Sequence, residues 1–224
     1  MILERLQEVF RFWRFGFVPL MLVVLPFSFF GFAIQLGSGS PLTIEGDVAH
    51  VNWATLAILA LLYPIATGTL IAQMAAIANG QAASFFACLN KSLQHSLFLL
   101  LTYMLLGVGV YMGLMLLVLP GLWIYARFSQ APFIVLLENN SPIDALNASF
   151  QRTKTQQLPI MFSAVVVGSI ILLVTVLSAT LLGETLGAEN KSADIIHILI
   201  TAPAGILLDI LIFRFYSLTK PVAS

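Results

Sequence analysis

Cysteine is almost missing from this chain of 224 residues, since Cys88 is the only one. A single cysteine excludes an intrachain disulfide and a cysteine-rich metal site. Charged residues are also scarce, at 9%, against about 25% in water-soluble domains. Acidic and basic residues balance to a formal net charge of zero, which removes the electrostatic basis for binding nucleic acid. The composition therefore excludes a soluble domain, a disulfide scaffold and a basic nucleic-acid binder.

Motifs for catalysis and metal binding are missing as well. The three histidines stand far apart in the sequence, and no H-E-x-x-H, G-x-S-x-G or P-loop pattern occurs. We therefore expect no catalytic residue, no metal and no other cofactor. A membrane enzyme is the last of the three functions considered.

Long apolar runs are what the chain has instead, with 59% hydrophobic residues and a mean hydropathy of +0.99. A membrane-crossing helix needs about 20 apolar residues. The sequence predicts an all-α, polytopic membrane protein with six such helices in one domain that covers residues 1–224. The expected spans are 16–36, 52–79, 93–118, 122–137, 158–182 and 195–217.

The segment before the first span is predicted to be an interfacial helix over residues 1–14. Val9, Phe10 and Trp13 fall on one face at helical spacing, and charged residues fall on the other. Glu8 in this segment and the length of the following run favour an uncleaved first span over a signal peptide. A polar loop is expected after that span.

Two polar segments between spans carry similar sequences. Ser84, Leu89, Asn90, Ser92 and Gln94 are matched by Ser141, Leu146, Asn147, Ser149 and Gln151. The residue numbers of each pair differ by 57 (141 − 84, 149 − 92). Ser141, Pro142 and Asp144 also form the pattern of a helix N-terminus. We therefore predict two amphipathic surface helices within a repeated unit of span, surface helix and span, over residues 52–118 and 122–182.

A third copy of this unit is a further hypothesis. It would join span 6, the helix 1–14 and span 1. Phe10 precedes Pro19 by the same interval as Phe150 precedes Pro159. The alternative is that any start of a membrane helix shows such residues.

The basic residues predict the orientation, because cytoplasmic segments of membrane proteins are rich in Lys and Arg. With six spans, Lys191 is alone on one side and Arg127 lies within span 4. The other basic residues share the opposite side: Arg5, Arg11, Arg14, Lys91, Arg152, Lys154, Arg214 and Lys220. Both termini and both surface helices are therefore expected in the cytoplasm.

Arg127, Gln130 and Asp209 form the candidate polar site within the membrane. A charged side chain at this depth usually faces the protein interior or a cavity. Three arrangements are open: an Arg127–Asp209 ion pair, an Arg127 that extends outward to the membrane surface, and a water-filled cavity.

The surface helices offer polar side chains to headgroups, water or helix ends, namely Asn90, Ser92, Asn147, Ser149 and Arg152. Glu138, at the end of span 4, is expected to pair with Arg152 or Lys154.

The block from Leu119 to Glu138, with its Pro-Gly pair, Arg127 and Pro132, continues into Ser149, Phe150 and Thr153. This block resembles the YciC-like family of bacterial inner-membrane proteins, and the tail Ile-Phe-Arg-Phe-Tyr-Ser from residue 212 is similar to the end of that family. The resemblance covers most of residues 105–217. It implies a helical protein of the inner membrane connected with envelope integrity, without established catalytic residues.

The favoured function is therefore a non-catalytic role in cell-envelope maintenance. Its expected partners are membrane lipids, and other envelope membrane proteins or a second copy of the chain are further candidates. The alternative is a small transporter or channel, or a subunit of one, with a polar path near Arg127, Gln130 and Asp209.

Overall fold

The computed structural model describes residues 2–45, 48–81, 83–186 and 190–219, with only the backbone described at residues 2–6, 44 and 45. Lys220, which contributes to the charge argument, lies outside the described residues. Within them the chain forms ten helices and a short β-hairpin. The helices are α1 (Ile2–Phe15), α2 (Phe17–Ser38), α3 (Trp53–Ala78), α4 (Phe85–Gln94), α5 (Ser96–Leu116), α6 (Val118–Phe128), α7 (Ala131–Glu138), α8 (Pro142–Arg152), α9 (Gln157–Leu186) and α10 (Lys191–Thr219); the strands are β1 (Leu42–Glu45) and β2 (Val48–Val51).

Five of the described helices, α2, α3, α5, α9 and α10, are long and apolar enough to cross a membrane. They correspond to five of the predicted spans, with limits that differ by only a few residues. The chain is therefore an all-α, multi-pass membrane protein by the length and composition of its helices.

The segment predicted as span 4 differs from the expectation. It consists of two short helices, α6 with 11 residues and α7 with 8, separated by Ser129 and Gln130. Pro132 explains the interruption, because it has no amide hydrogen for the carbonyl of Phe128 and its ring clashes with that carbonyl in a continuous helix.

The long helices and α6 pack side by side in a ring. Contacts join α2 to α3, α3 to α5, α5 to α6, α6 to α9, α9 to α10, and α10 back to α2. The backbones of α5 and α6 approach closely, since a Cβ atom on Gly113 would lie 2.8 Å from the Cα of Gly121. Small residues at helix contacts are typical of membrane bundles.

The short helix α7 lies at the centre of one end of the ring. Every residue from Ala131 to Leu136 is buried, and α7 contacts α3, α5 and α8. Its Phe133 stacks on Tyr216 of α10, with ring centroids 5.7 Å apart. We call this the α7 end of the bundle, and the opposite end, which carries β1 and β2, the hairpin end.

The loop expected after the first span forms the antiparallel hairpin, in which Leu42 pairs with Val51. Asn52 ties this hairpin to the helices on either side of it. Its side-chain nitrogen Nδ2 donates to the carbonyl of Ser38 at 2.6 Å, and its side-chain oxygen accepts from the backbone amide of Thr55 at 3.2 Å. Asn52 therefore joins the end of α2 to the start of α3.

Both polar segments are helices, α4 and α8, as predicted. Each follows a serine cap, Ser84 or Ser141, whose hydroxyl oxygen accepts from an amide three residues further on. His95, at the end of α4, hydrogen-bonds to Asn139, directly after α7, at 2.8 Å. Because α8 follows α7 after three residues, α4 and α8 both lie at the α7 end.

The N-terminal helix α1 packs against the second half of α10. The ring centroids of Phe12 and Phe213 are 5.7 Å apart, and Arg214 forms an ion pair with Glu8 at 3.2 Å. Phe15 keeps 82% of its surface exposed, which leaves an apolar side chain facing away from the bundle.

Candidate functional site

The junction between α6 and α7 is bound by α8. The carbonyl of Arg127 lies in the last turn of α6, where carbonyls have no partner within their own helix. It accepts hydrogen bonds from the hydroxyls of Ser149 at 2.8 Å and Thr153 at 3.1 Å. Both of these side chains are fully buried. Two hydroxyls one helical turn apart thus satisfy a carbonyl that water does not reach.

A similar bond joins α4 to α3. Ser92 is fully buried, and its hydroxyl donates to the carbonyl of Ile65 at 2.8 Å. Asn90 and Asn147, by contrast, are exposed on the outer faces of α4 and α8. Four of the five residues predicted for headgroups, water or helix ends therefore divide into two groups: the asparagines face outward, and the serines bond to neighbouring spans. The fifth, Arg152, pairs with Glu138.

The Arg127 side chain is buried among aromatic rings, with only 3% of its surface exposed. Its Cζ lies 3.7 Å from the centroid of the Phe150 ring and 5.7 Å from that of Trp123. This cation–π contact offsets part of the desolvation of the guanidinium. Within the described ranges its Nε and Nη1 have no hydrogen-bond partner, and it forms no ion pair with Asp209.

Neither the ion pair nor an Arg127 that extends outward is therefore observed. The reason is tertiary, because α8 folds back over α6 and covers the guanidinium with Phe150.

Glu138 pairs with Arg152, which confirms one of its two expected partners. The guanidinium donates two hydrogen bonds to the carboxylate, at 2.6 and 2.7 Å. Tyr216 donates to the same carboxylate at 3.0 Å. The hydrogen bonds to Glu138 raise the pKa of Arg152. This group connects α7, α8 and α10.

Gln130 interacts with neither Arg127 nor Asp209. It is fully buried, and its Oε1 accepts from the hydroxyl of Thr219 in α10 at 2.8 Å. The structure thus gives the three residues of the predicted polar site three different surroundings.

A cavity of about 1260 Å³ lies inside the ring of helices. Its wall extends from Gln35, Ser40 and Asp194 at the hairpin end to Pro132 and Phe133 of α7. Ligand sites for small molecules commonly measure about 300–1,000 Å³, so this space accommodates a molecule of lipid-like size. Most of the wall is apolar, with contributions from α2, α3, α5 and α10.

Asp209 of α10 lines this cavity together with Tyr63, Tyr103 and Tyr125 from three other helices. The rings of Tyr63 and Tyr103 meet edge to face, with centroids 5.1 Å apart. In the part of the chain that the structure describes, the Asp209 carboxylate has no hydrogen-bond or ion-pair partner. An unpaired carboxylate therefore borders an apolar and aromatic space.

The sequence indicated Asp209 but not the tyrosines around its cavity. Tyr63 and Tyr125 fit an interface belt or a packed core equally well, and the three tyrosines have no common spacing. Tyr103 could have been noticed in the sequence, because it lies inside span 3, whereas tyrosines in membrane proteins are enriched at the membrane interfaces.

No family model, curated protein or solved structure matches this chain. Its class is therefore defined by the fold and the site: a multi-pass helical membrane protein with a cavity between its helices. Among the described residues, no group of three or more His, Cys, Asp and Glu side chains could hold a metal ion.

The paired hydroxyls on α8 lead to a first prediction. Replacing both in Ser149→Ala/Thr153→Val leaves the Arg127 carbonyl buried and unpaired, which we expect to lower the free energy of unfolding by about 1–3 kcal/mol. Either single replacement keeps one donor and has a smaller effect. Titration with sodium dodecyl sulfate in mixed micelles measures the loss. Thr180→Val, which removes an exposed hydroxyl bonded within its own helix, is the matched control and leaves stability unchanged.

A second prediction concerns Arg127 and Phe150. In a double-mutant cycle with Arg127→Met and Phe150→Leu, the loss in the double variant is expected to be smaller than the sum of the single losses, by about 1–2 kcal/mol. The same mixed-micelle titration measures all four proteins. Additive losses would contradict an energetic contact between the guanidinium and the ring.

Proposed function

We propose that this protein is a non-catalytic, lipid-interacting protein of the bacterial inner membrane that contributes to envelope maintenance. The observation that carries the proposal is the cavity inside the helix ring. Its wall is mainly apolar, it extends to the hairpin end, and α7 lies at its opposite end. Such a space suits an acyl chain with a small polar group better than it suits a hydrated solute.

The proposal includes a sixth crossing of the membrane, made by α6 and α7 together. Interrupted helices are tolerated at membrane depth where neighbouring side chains satisfy the freed backbone groups. The hydroxyls of Ser149 and Thr153 do this for the carbonyl of Arg127. Six crossings put both termini on one side, and the distribution of Lys and Arg favours the cytoplasm.

The proposal also includes an internal repeat of span, surface helix and span. It is supported by the matched positions of α4 and α8, where the caps Ser84 and Ser141 and the buried Ser92 and Ser149 keep the same offset. Each buried serine donates to a carbonyl of an earlier span.

The possible third copy has one supporting feature and one difference. Val9 of α1 takes the position of the two buried serines and is itself 1% exposed. It has no hydroxyl; a side-chain bond from α1 to the preceding span, α10, comes instead from Trp13, whose Nε1 donates to the carbonyl of Pro203 at 3.0 Å.

The proposal also includes a relation to the YciC-like family, which residues 105–217 resemble, and the inner membrane and the envelope role are what that resemblance implies. It adds no ligand or mechanism.

A small transporter is the second candidate function. Two carboxylates, Asp194 and Asp209, line the same cavity, and acidic side chains within spans often mark the path of a solute or proton. The path proposed near Arg127 has less support, because that guanidinium is covered by Phe150. Uptake of a labelled solute into proteoliposomes, absent in empty vesicles, would favour this candidate.

The lipid-binding proposal predicts that an acyl chain enters the cavity. A phospholipid with a photoreactive diazirine on its chain is expected to label the segment around Asp209 in nanodiscs. Gly107→Phe adds a ring at a cavity-lining position where a Cβ meets nothing within 4 Å, and we expect it to reduce this labelling several-fold.

Gly168→Phe is the matched control for this experiment. A Cβ at Gly168 also meets nothing within 4 Å, but Gly168 is not among the residues that line the cavity. Peptide mapping by mass spectrometry locates the labels. Labelling confined to lipid-facing surfaces, and equal in all three proteins, would overturn the proposal.

The proposed topology predicts which residues share a side of the membrane. In a Cys88→Ala background, the exposed positions Asn90→Cys and Asn147→Cys should be protected from a membrane-impermeant maleimide in spheroplasts, whereas His50→Cys should react. Permeabilisation should expose the first two. Reaction of Asn90→Cys and Asn147→Cys from opposite sides would exclude the six-span repeat.

A further inference from the structure

The Asp209 carboxylate has no partner in the described structure, although it borders a space formed largely by apolar side chains. A carboxylate in such surroundings is stabilised when a cation lies beside it, because the attraction is only weakly screened there. Arg127 does not supply this charge, since its guanidinium is held against Phe150. The cavity itself is therefore where a complementary cation would be bound.

The aromatic rings around Asp209 favour the same kind of ligand. Tyr63, Tyr103 and Tyr125 line the cavity with the carboxylate, and Tyr63 keeps 55% of its surface exposed. Aromatic rings attract ammonium groups, including quaternary ones, by cation–π interactions. A carboxylate with several rings thus forms a site for an organic ammonium group rather than for a strongly hydrated metal ion, which prefers several oxygen ligands.

A second carboxylate marks the way into the cavity. Asp194 lines it near the start of α10, and a helix rises about 1.5 Å per residue, so Asp194 and Asp209 are roughly 22 Å apart along the helix axis. Among the described residues that line the cavity there is no Lys or Arg. A phosphate group would therefore find neither lysine nor arginine there, and the imidazole of His197, which also lines the cavity, is hydrogen-bonded to the hydroxyl of Ser178 at 2.9 Å. An ammonium group, by contrast, would meet a carboxylate near each end.

We infer that the cavity binds an alkylammonium amphiphile, with its ammonium group between Asp209 and the three tyrosines and its alkyl chain along the apolar wall. This inference rests on the proposed lipid-like occupant and names its chemical class. The same ammonium group occurs in free alkylamines and in the ethanolamine headgroup of phospholipids. The absence of Lys and Arg from the described wall favours the amine without a phosphate.

Binding of radiolabelled dodecyltrimethylammonium to the full chain in a maltoside detergent tests the inference by scintillation proximity. We expect saturable binding that Asp209→Asn weakens by at least about tenfold. Asp209→Glu keeps the charge and should retain most of the affinity. Glu184→Gln removes one exposed carboxylate on α9 outside the cavity and should bind as the unaltered protein does. Equal size-exclusion profiles and thermal unfolding show that the variants are folded.

Competition distinguishes the ligand classes. Unlabelled dodecylamine should displace the probe, whereas dodecanol and dodecyl sulfate should not, and lysophosphatidylethanolamine should compete more weakly than dodecylamine. Stronger competition by lysophosphatidylethanolamine would overturn the preference for an amine without phosphate.

Further results would overturn the inference, and they show whether the proposed function falls with it. Unchanged binding by Asp209→Asn, or equal competition by dodecanol, would remove the role of the charge and leave lipid binding in place. No saturable binding, together with diazirine labelling of the cavity, would likewise remove only the ammonium site. No binding and no labelling would overturn both.

Discussion

A carbonyl inside an apolar bundle has to find its hydrogen-bond donor within the protein, because water is not available there. Pro132 interrupts the helix after Phe128, and the carbonyl of Arg127 is satisfied by Ser149 and Thr153 of α8. These bonds hold α8 over α6. The fixed position of α8 then brings Phe150 over the Arg127 guanidinium and Arg152 to Glu138. One interrupted helix thus determines how three short helices pack at the α7 end.

The same interruption shapes the cavity. A straight helix through residues 118–138 would keep its chain in the ring, whereas the break allows α7 to lie in the centre, buried on all sides. The space on the hairpin side of α7 is then lined by the ring helices, and Asp209 borders it without a partner in the described structure. A ligand of opposite charge that binds beside Asp209 would stabilise its carboxylate and explain why a charged residue occupies this position.

Much of the fold could be predicted because its signals are local. Five apolar runs became long helices, and Ser141 caps α8 where the capping pattern indicated. Ser84, which was matched to Ser141 by the constant offset, caps α4. For Glu138 the sequence predicted a partner in either Arg152 or Lys154, and the structure shows the pair with Arg152. The hairpin was missed, since two four-residue strands carry too little periodicity to stand out in a polar loop. The surroundings of Arg127 were missed because residues far along the chain supply them.

The amino-acid sequence by itself determined the class of protein, the long spans, the two polar helices and the presence of a carboxylate within the last span. Composition and short-range periodicity are sufficient for these features, because each depends on residues within a few turns of one another. Only the tertiary structure decided that Arg127 lies against Phe150, that Gln130 bonds to Thr219, and that three tyrosines share a cavity with Asp209. These contacts join residues of different helices. Their geometry depends on how α6 and α7, the two helices of the segment predicted as span 4, pack against their neighbours.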